Sequence, residues 1–345
     1  MINRLLFVIL SIVGLNATAQ KTIIDKKKFF QDDQMIEMTI VADFKNLIAD
    51  KLKKDYKKNF QPATITCLFP DSTLITQEVE INARGEFRRE KCDMPPIIVN
   101  FRTGNAAAMS KLGRLKLVWP CVNSPYDEQL ILKEFIGYKI YNLLTEKSFR
   151  VRLVRIQCND MRAKIKPFTV FAFFIEDVDD MAKRSKCVEI QTGIYQTEQT
   201  DREQTTLVAL FEYMIGNTDW SVPNRQNVKL MGSKKDTLGH MFVVPYDFDY
   251  SGLVNARYAV PVADFGQTTI RQRMYRGFPR TLKELQASLQ IFRDQRPAID
   301  SLINNFKQLT PANKKDISKY LGEFFETIKR DGNIRFNFIE KARTD

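Results

Sequence analysis

Histidine is almost absent from this chain: His240 stands alone among 345 residues. A Ser-His-Asp or Cys-His hydrolase would have only that one residue to serve as its base. Cysteine is sparse too. The five, at 67, 92, 121, 158 and 187, include no C-x-x-C pair, which with a single histidine excludes the common zinc patterns. Neither a Walker A motif nor a G-x-G-x-x-G loop is present. There is no internal repeat, no low-complexity linker and no long basic block. The formal net charge of +12 is spread along the chain, so it suits anionic partners without pointing to nucleic acid.

What is present begins with "MINRLLFVILSIVGLNATAQ". Arg4, an apolar run from Leu5 to Leu15 and Ala17-Thr18-Ala19 predict a secretory signal over residues 1–19. The run is too short to span a bilayer, and no later segment is apolar enough to do so. The expectation is an exported protein, periplasmic or extracellular, with no transmembrane segment. About 325 residues remain, enough for one large domain or two lobes. In an oxidising compartment Cys92 and Cys121 are the best disulfide candidates. "PPIIVNF" and "RLKLVW" read as antiparallel strands folded about residues 104–110, and that register brings 92 near 121.

The first half reads as strands with one strong helix at 127–144, ending at the acidic turn "EDVDD" (176–180). Beyond it the chain turns helical. An amphipathic helix, 205–216, ends at Gly216; "NVKLMG" and "HMFVVPYDFDYSG" read as a hairpin; three C-terminal helices follow, stopping at Asp331-Gly332. The pattern predicts a two-lobed α+β protein with an N-lobe over 20–178, a C-lobe over 179–345 and a hinge near 176–182.

Two loops carry chemistry. In "VVPYDFDYSG", Asp247 and Asp249 follow an apolar strand and share one face, where two carboxylates repel unless a cation sits beside them. In "NTDWSVPNRQN", Asp219, Asn224 and Asn227 lead into the strand expected to pair with that one. An Asp to accept a hydroxyl proton, an Asn and an Asp on a metal make a minimal phosphoryl-transfer set. Taken singly, each loop also reads as a turn whose Asn and Asp side chains cap backbone. Such a site needs a lysine fixed by an acid. Lys116 points away from the Leu115–Leu117–Trp119 face, and Glu134 lies on a half-buried stripe of the long helix, so Lys116–Glu134 is the candidate pair. "ARGEFRRE" (83–90) places Arg84 and Gly85 where a phosphate-covering turn would lie, or forms a plain basic turn.

The ordered series "ARGEFRR", "LKLV", "FFIED", "NTDW…NRQNVKL" and "PYDFDYSG", over roughly residues 80–255, resembles the spore-coat protein H (CotH) kinase family, in particular an exported bacterial branch. The resemblance implies an atypical protein-kinase-like bilobal fold: a strand-rich N-lobe with one long helix, and a helical C-lobe with an embedded hairpin. It also implies ATP and Mg2+ (or Mn2+) as cofactors and a protein hydroxyl as acceptor. By the same resemblance Asp219 is the catalytic-loop aspartate and Asn227 the loop asparagine. Asp247 and Asp249 would hold metal, Lys116 the phosphates, and Arg84-Gly85 the family's Arg-Gly turn. Asn224 stands at the spacing of ordinary kinases and is the alternative to Asn227. The second functional reading is a catalytically inactive pseudokinase or a binding module with a partner in the cell envelope.

Overall fold

The structure is a computed structural model and describes residues 23–102, 108–233, 241–263 and 266–343. The expected signal segment and His240 lie outside these residues. Seven strands close into a barrel: β1 (Ile36–Ala42), β2 (Gln61–Leu68), β3 (Leu74–Ala83), β4 (Ile97–Asn100), β5 (Arg114–Val118), β6 (Val151–Asp160) and β7 (Phe168–Ile175), in the order β1-β2-β3-β4-β5-β7-β6. All neighbours are antiparallel except β1 and β6, whose parallel pairing (Ile40 opposite Cys158) closes the ring. Alternation drives the closure. Ile36, Met38, Ile40 and Ala42 of β1 point inward with Ile65, Ile81, Val99, Leu115 and Ile156 of its neighbours, all buried. Phe174 fills the interior against Phe29 and Phe101, with ring centroids at 5.7 and 6.0 Å. Truncating a ring so placed costs about 3–5 kcal/mol.

The bilobal kinase-like plan is therefore corrected: the strand-rich half is a closed mixed barrel, and the helices do not form a separate kinase-type lobe around it. The decisive pairing joins β1 to a strand more than a hundred residues later. Periodicity reports which residues alternate, not which strand edges meet. The acidic run also differs from a hinge. Asp177 caps a short helix, α5 (Val178–Arg184), by accepting the Asp179 N–H at 3.0 Å.

The remaining helices are α1 (Lys26–Gln31), α2 (Phe44–Asp50), α3 (Phe87–Lys91), α4 (Pro125–Leu144), α6 (Arg202–Ile215), α7 (Leu282–Asn305), α8 (Pro311–Thr327) and α9 (Asp331–Arg335). Asp331-Gly332 thus begins a further helical segment, which runs on as a π-helix over Phe336–Glu340, instead of ending one. α4, α6, α7 and α8 share a second core with a three-stranded sheet of β8 (Val188–Glu189), β9 (Val228–Gly232) and β10 (Phe242–Pro245). α6 stops where expected, at Gly216 with φ +67°, and the Thr281–Glu284 capping box of α7 is formed. Among the described residues no helix is long and apolar enough to cross a membrane.

The β4–β5 register pairs Ile97 with Leu117 and Asn100 with Arg114. Cys92 and Cys121 flank its open end and are joined as a disulfide. The bridge ties the end of α3 to the exit of the strand that carries Lys116.

Candidate functional site

A cleft of about 250 Å³ opens between the outer face of the barrel and the three-stranded sheet. Strand register builds its first wall. Ile98 sits opposite Lys116, and Lys116 opposite Ile175, so three neighbouring strands put an isoleucine on each side of the lysine. Arg84 enters from the end of β3, its N–H donating to the Pro96 carbonyl at 2.8 Å. Phe149, Val178 and Tyr246 complete an apolar slot beside these cations.

Electrostatics marks this wall as unfinished. Lys116 is exposed to the cleft and crowded by other cations. Burial pushes its ammonium down to about 8, helped by Arg84 and Lys229 and opposed by Asp247 and Asp177. Its Nζ lies 5.4 Å from the centre of the Tyr246 ring, which Lys229 also approaches at 5.8 Å. Lys229 is matched by Glu189 at 2.7 Å. Arg84 is pulled down by burial against the attraction of Asp247, and its Nε is buried without a hydrogen-bond partner. Among the described residues neither Arg84 nor Lys116 is in an ion pair. Two cations side by side without carboxylate partners make an anion site.

Loops build the second wall, which Asp247 lines while Asp219, Asn227 and Asp249 lie outside the lining. Asn227 donates Nδ2 to both the carbonyl and the Oδ2 of Asp219, each at 2.8 Å, and Gln226 donates to Oδ1. Asn227, not Asn224, therefore meets the aspartate: Asn224 is exposed and engages Ser221 through its backbone. The Tyr246 N–H donates to the Asn227 carbonyl at 2.9 Å, tying this loop to the Asp247 segment. Asp247 lines the cleft with φ +66°, and its N–H donates to the Tyr138 hydroxyl at 2.8 Å. Asp249 is buried and accepts from the Tyr258 hydroxyl at 2.8 Å.

These acids crowd one another. Burial and then Asp247 raise the Asp219 carboxyl, while Asn227 and Gln226 lower it. Burial, then Asp247, push Asp249 up to about 7 against Arg88 and Tyr258. Among the described residues no group of three or more His, Cys, Asp or Glu side chains could hold a metal ion. A Mg2+ ion here would have to rest on the two carboxylates of one segment and complete its shell with phosphate oxygens and water. Asp247, Asp249 and the Oδ1 of Asn227 are the atoms that would hold it.

The predicted Lys116–Glu134 pair is not formed. Glu134 is fully buried on α4 with Arg88 of α3 as its cation, at 4.0 Å, and neither carboxylate oxygen has a hydrogen bond. Burial, then Asp249, hold its carboxyl well above the usual range. Lys116 stands in the middle of the Ile98–Ile175 row, beside Tyr246. Arg84, Lys116 and Asp247 line the cleft itself; Gly85, Glu134, Asp219, Asn227 and Asp249 do not. Gly85 instead shapes the turn, with φ +80° and its carbonyl accepting from Arg89 at 3.0 Å. Sequence reasoning placed Arg88 with Arg84 and Arg89 in the basic turn and missed it as the cation of Glu134; it missed Tyr138 and Tyr258 altogether. Tyr138 carried a signal, four residues after Glu134 on the same helical stripe.

No family model matches the chain, and no curated protein matches it. The resemblance to CotH kinases rests on the motifs alone.

Proposed function

We propose that the protein transfers the γ-phosphoryl group of ATP to a protein hydroxyl. The observation that carries this reading is the unpaired Arg84–Lys116 couple facing Asp247 across a cleft that also has an apolar slot. A planar base suits the slot between Ile98, Ile175, Phe149 and Tyr246; polyphosphate suits the two cations. Lys116 and Arg84 neutralise the phosphates and draw charge toward the leaving oxygen. Asp219 orients the acceptor hydroxyl and takes its proton as the new P–O bond forms and ADP departs. Bound Mg2+, held by Asp247, Asp249 and Asn227, would supply charge neutralisation at the β- and γ-phosphates. CotH-like kinase activity, with action in the periplasm or outside the cell, belongs to the same proposal.

One observation favours a second reading, a pseudokinase or an envelope binding module. Both Asp219 carboxylate oxygens are already engaged, by Gln226 and Asn227. A phosphotransferase must release one of them to meet the acceptor. One experiment separates the two. The protein is mixed with ATP and Mg2+ or Mn2+, and both thermal stability and phosphate incorporation are followed. Nucleotide at 100 times its Kd should stabilise the fold by about 2.7 kcal/mol. Stabilisation with incorporation supports the kinase, stabilisation alone the pseudokinase; neither removes the nucleotide from this cleft.

A further inference from the structure

The two acidic loops are anchored at neighbouring glycines. Gly216 ends α6, and Gly252 closes the Asp247–Asp249 segment; the Gly252 N–H donates to the Gly216 carbonyl at 3.0 Å, and Leu253 N–H to Ile215 at 2.9 Å. Between the glycines sits the tip of Tyr320, a buried residue of α8. A Cβ added at Gly216 would lie 2.0 Å from the Tyr320 hydroxyl, and one at Gly252 2.4 Å from it. Real contacts of that length do not occur, so both positions are glycine at least in part to admit this side chain.

Tyr320 is itself held from several sides. Its hydroxyl donates to the Arg271 carbonyl at 3.1 Å. The Arg271 and Arg273 guanidinium groups lie 4.4 and 3.7 Å from its ring centre. Arg273 also donates to the Met214 carbonyl at 3.3 Å, at the end of α6. Arg271 pairs with Asp316 at 3.1 Å, and Asp316 takes Lys133 of α4 at 3.2 Å. The helical core is thereby connected to the root of both loops through Tyr320 and the two arginines around it.

We propose that Tyr320 is a positioning residue: wedged between Gly216 and Gly252, it sets the spacing of Asp219 from the Asp247–Asp249 segment. Its role in turnover rests on the phosphotransfer reading; its hold on the loops does not. The cations that meet nucleotide stand on barrel strands, away from this junction. Loss of the hydroxyl should therefore disturb chemistry more than nucleotide binding.

The test uses the full chain with Tyr320→Phe, Gly216→Ala and the two combined. In Tyr320→Phe, amide hydrogen exchange should quicken about tenfold in residues 216–220 and 250–255 and stay unchanged in 114–118. With Mg2+ and ATP, kcat should fall about tenfold while the ATP KM stays within about twofold. Gly216→Ala should be the more damaging single change, and adding Tyr320→Phe should restore part of it by removing the hydroxyl 2.0 Å from the new methyl group, while the strain of φ +67° and the ring Cζ at 3.2 Å remain. Unchanged exchange in both loops would overturn the proposal. So would an equal rise in 114–118, or a double variant no better than Gly216→Ala. If the wild-type chain neither binds nor turns over ATP, the phosphotransfer reading fails, and exchange together with the rescue still decides the role of Tyr320.

Discussion

The two walls of the cleft are built by different means. Lys116 stands in a register row on three paired strands, where moving it means slipping a barrel. Asp219, Asn227 and Asp247 sit on loops, and Asn227 and Asp247 hold φ of +51° and +66°. Asn and Asp tolerate the left-handed region better than other side chains, but still at about 1 kcal/mol or more. The contrast assigns tasks. A regular sheet fixes the charges that grip a ligand, whereas loops held by a few hydrogen bonds carry groups that must shift during a reaction, such as Asp219.

The joint between the walls is Arg88, and breaking it should have the largest effect. Arg88 reaches from α3 to Glu134, donates to the Trp119 carbonyl at 2.6 Å, and is attracted by Tyr258 and Asp249. Arg88→Ala leaves buried acids without their cation, and the fold should lose about 3–5 kcal/mol in urea unfolding. Adding Glu134→Gln should recover part of that loss. A change under about 1 kcal/mol would mean that this buried pair is not what joins the walls.

Next in size is Asp247→Asn, which tests the loop wall alone. Asparagine accepts the left-handed backbone, so stability should hold while the charge facing Arg84 and Lys116 is lost. Phosphate incorporation should drop at least about 100-fold, with little change in unfolding midpoint. Near-wild-type activity in this variant would remove Asp247 from the mechanism.

The contrast between walls also explains what could be read from the sequence. Alternation in "PPIIVNF" and "RLKLVW" gave the β4–β5 register, and with it Lys116's outward direction and the Cys92–Cys121 bridge. Local chemistry gave the Gly216 stop and the loop that follows. Barrel closure was not legible, because the β1–β6 pairing leaves no local trace. Nor was the cation for Glu134. The half-buried stripe on α4 said that a partner was needed, but the choice between Lys116 and Arg88 depends on where α3 packs. Tyr320 was invisible for the same reason, since nothing near it in sequence mentions Gly216 or Gly252.

On the strand wall, Lys116→Met should weaken Mg2+-dependent nucleotide binding about tenfold, the equivalent of about 1.4 kcal/mol. Thermal stability should stay level or rise, because the native charge is unpaired and repelled by Arg84 and Lys229. Weaker binding together with a lower unfolding midpoint would instead mean that the ammonium supports the fold.

The smallest expected effect is a pH dependence that separates the walls by sign. The Lys116 ammonium titrates at about 8 in the fold and near 10.5 in the unfolded chain. Between those values the unfolded chain binds more protons, so this group's contribution to stability rises as pH increases from 8 to 10.5. Nucleotide binding runs the other way, because the neutral amine no longer attracts phosphate; affinity should fall several-fold, about three- to tenfold, between pH 7.5 and 9. Asp249, raised to about 7 by burial and Asp247, governs the acid side, where protonation removes a candidate cation ligand. Affinity measured from pH 5.5 to 9.5 should thus fall at both ends. Lys116→Met should flatten the alkaline fall and leave the acid one, whereas an alkaline fall that survives the substitution would assign it to another group on the cleft.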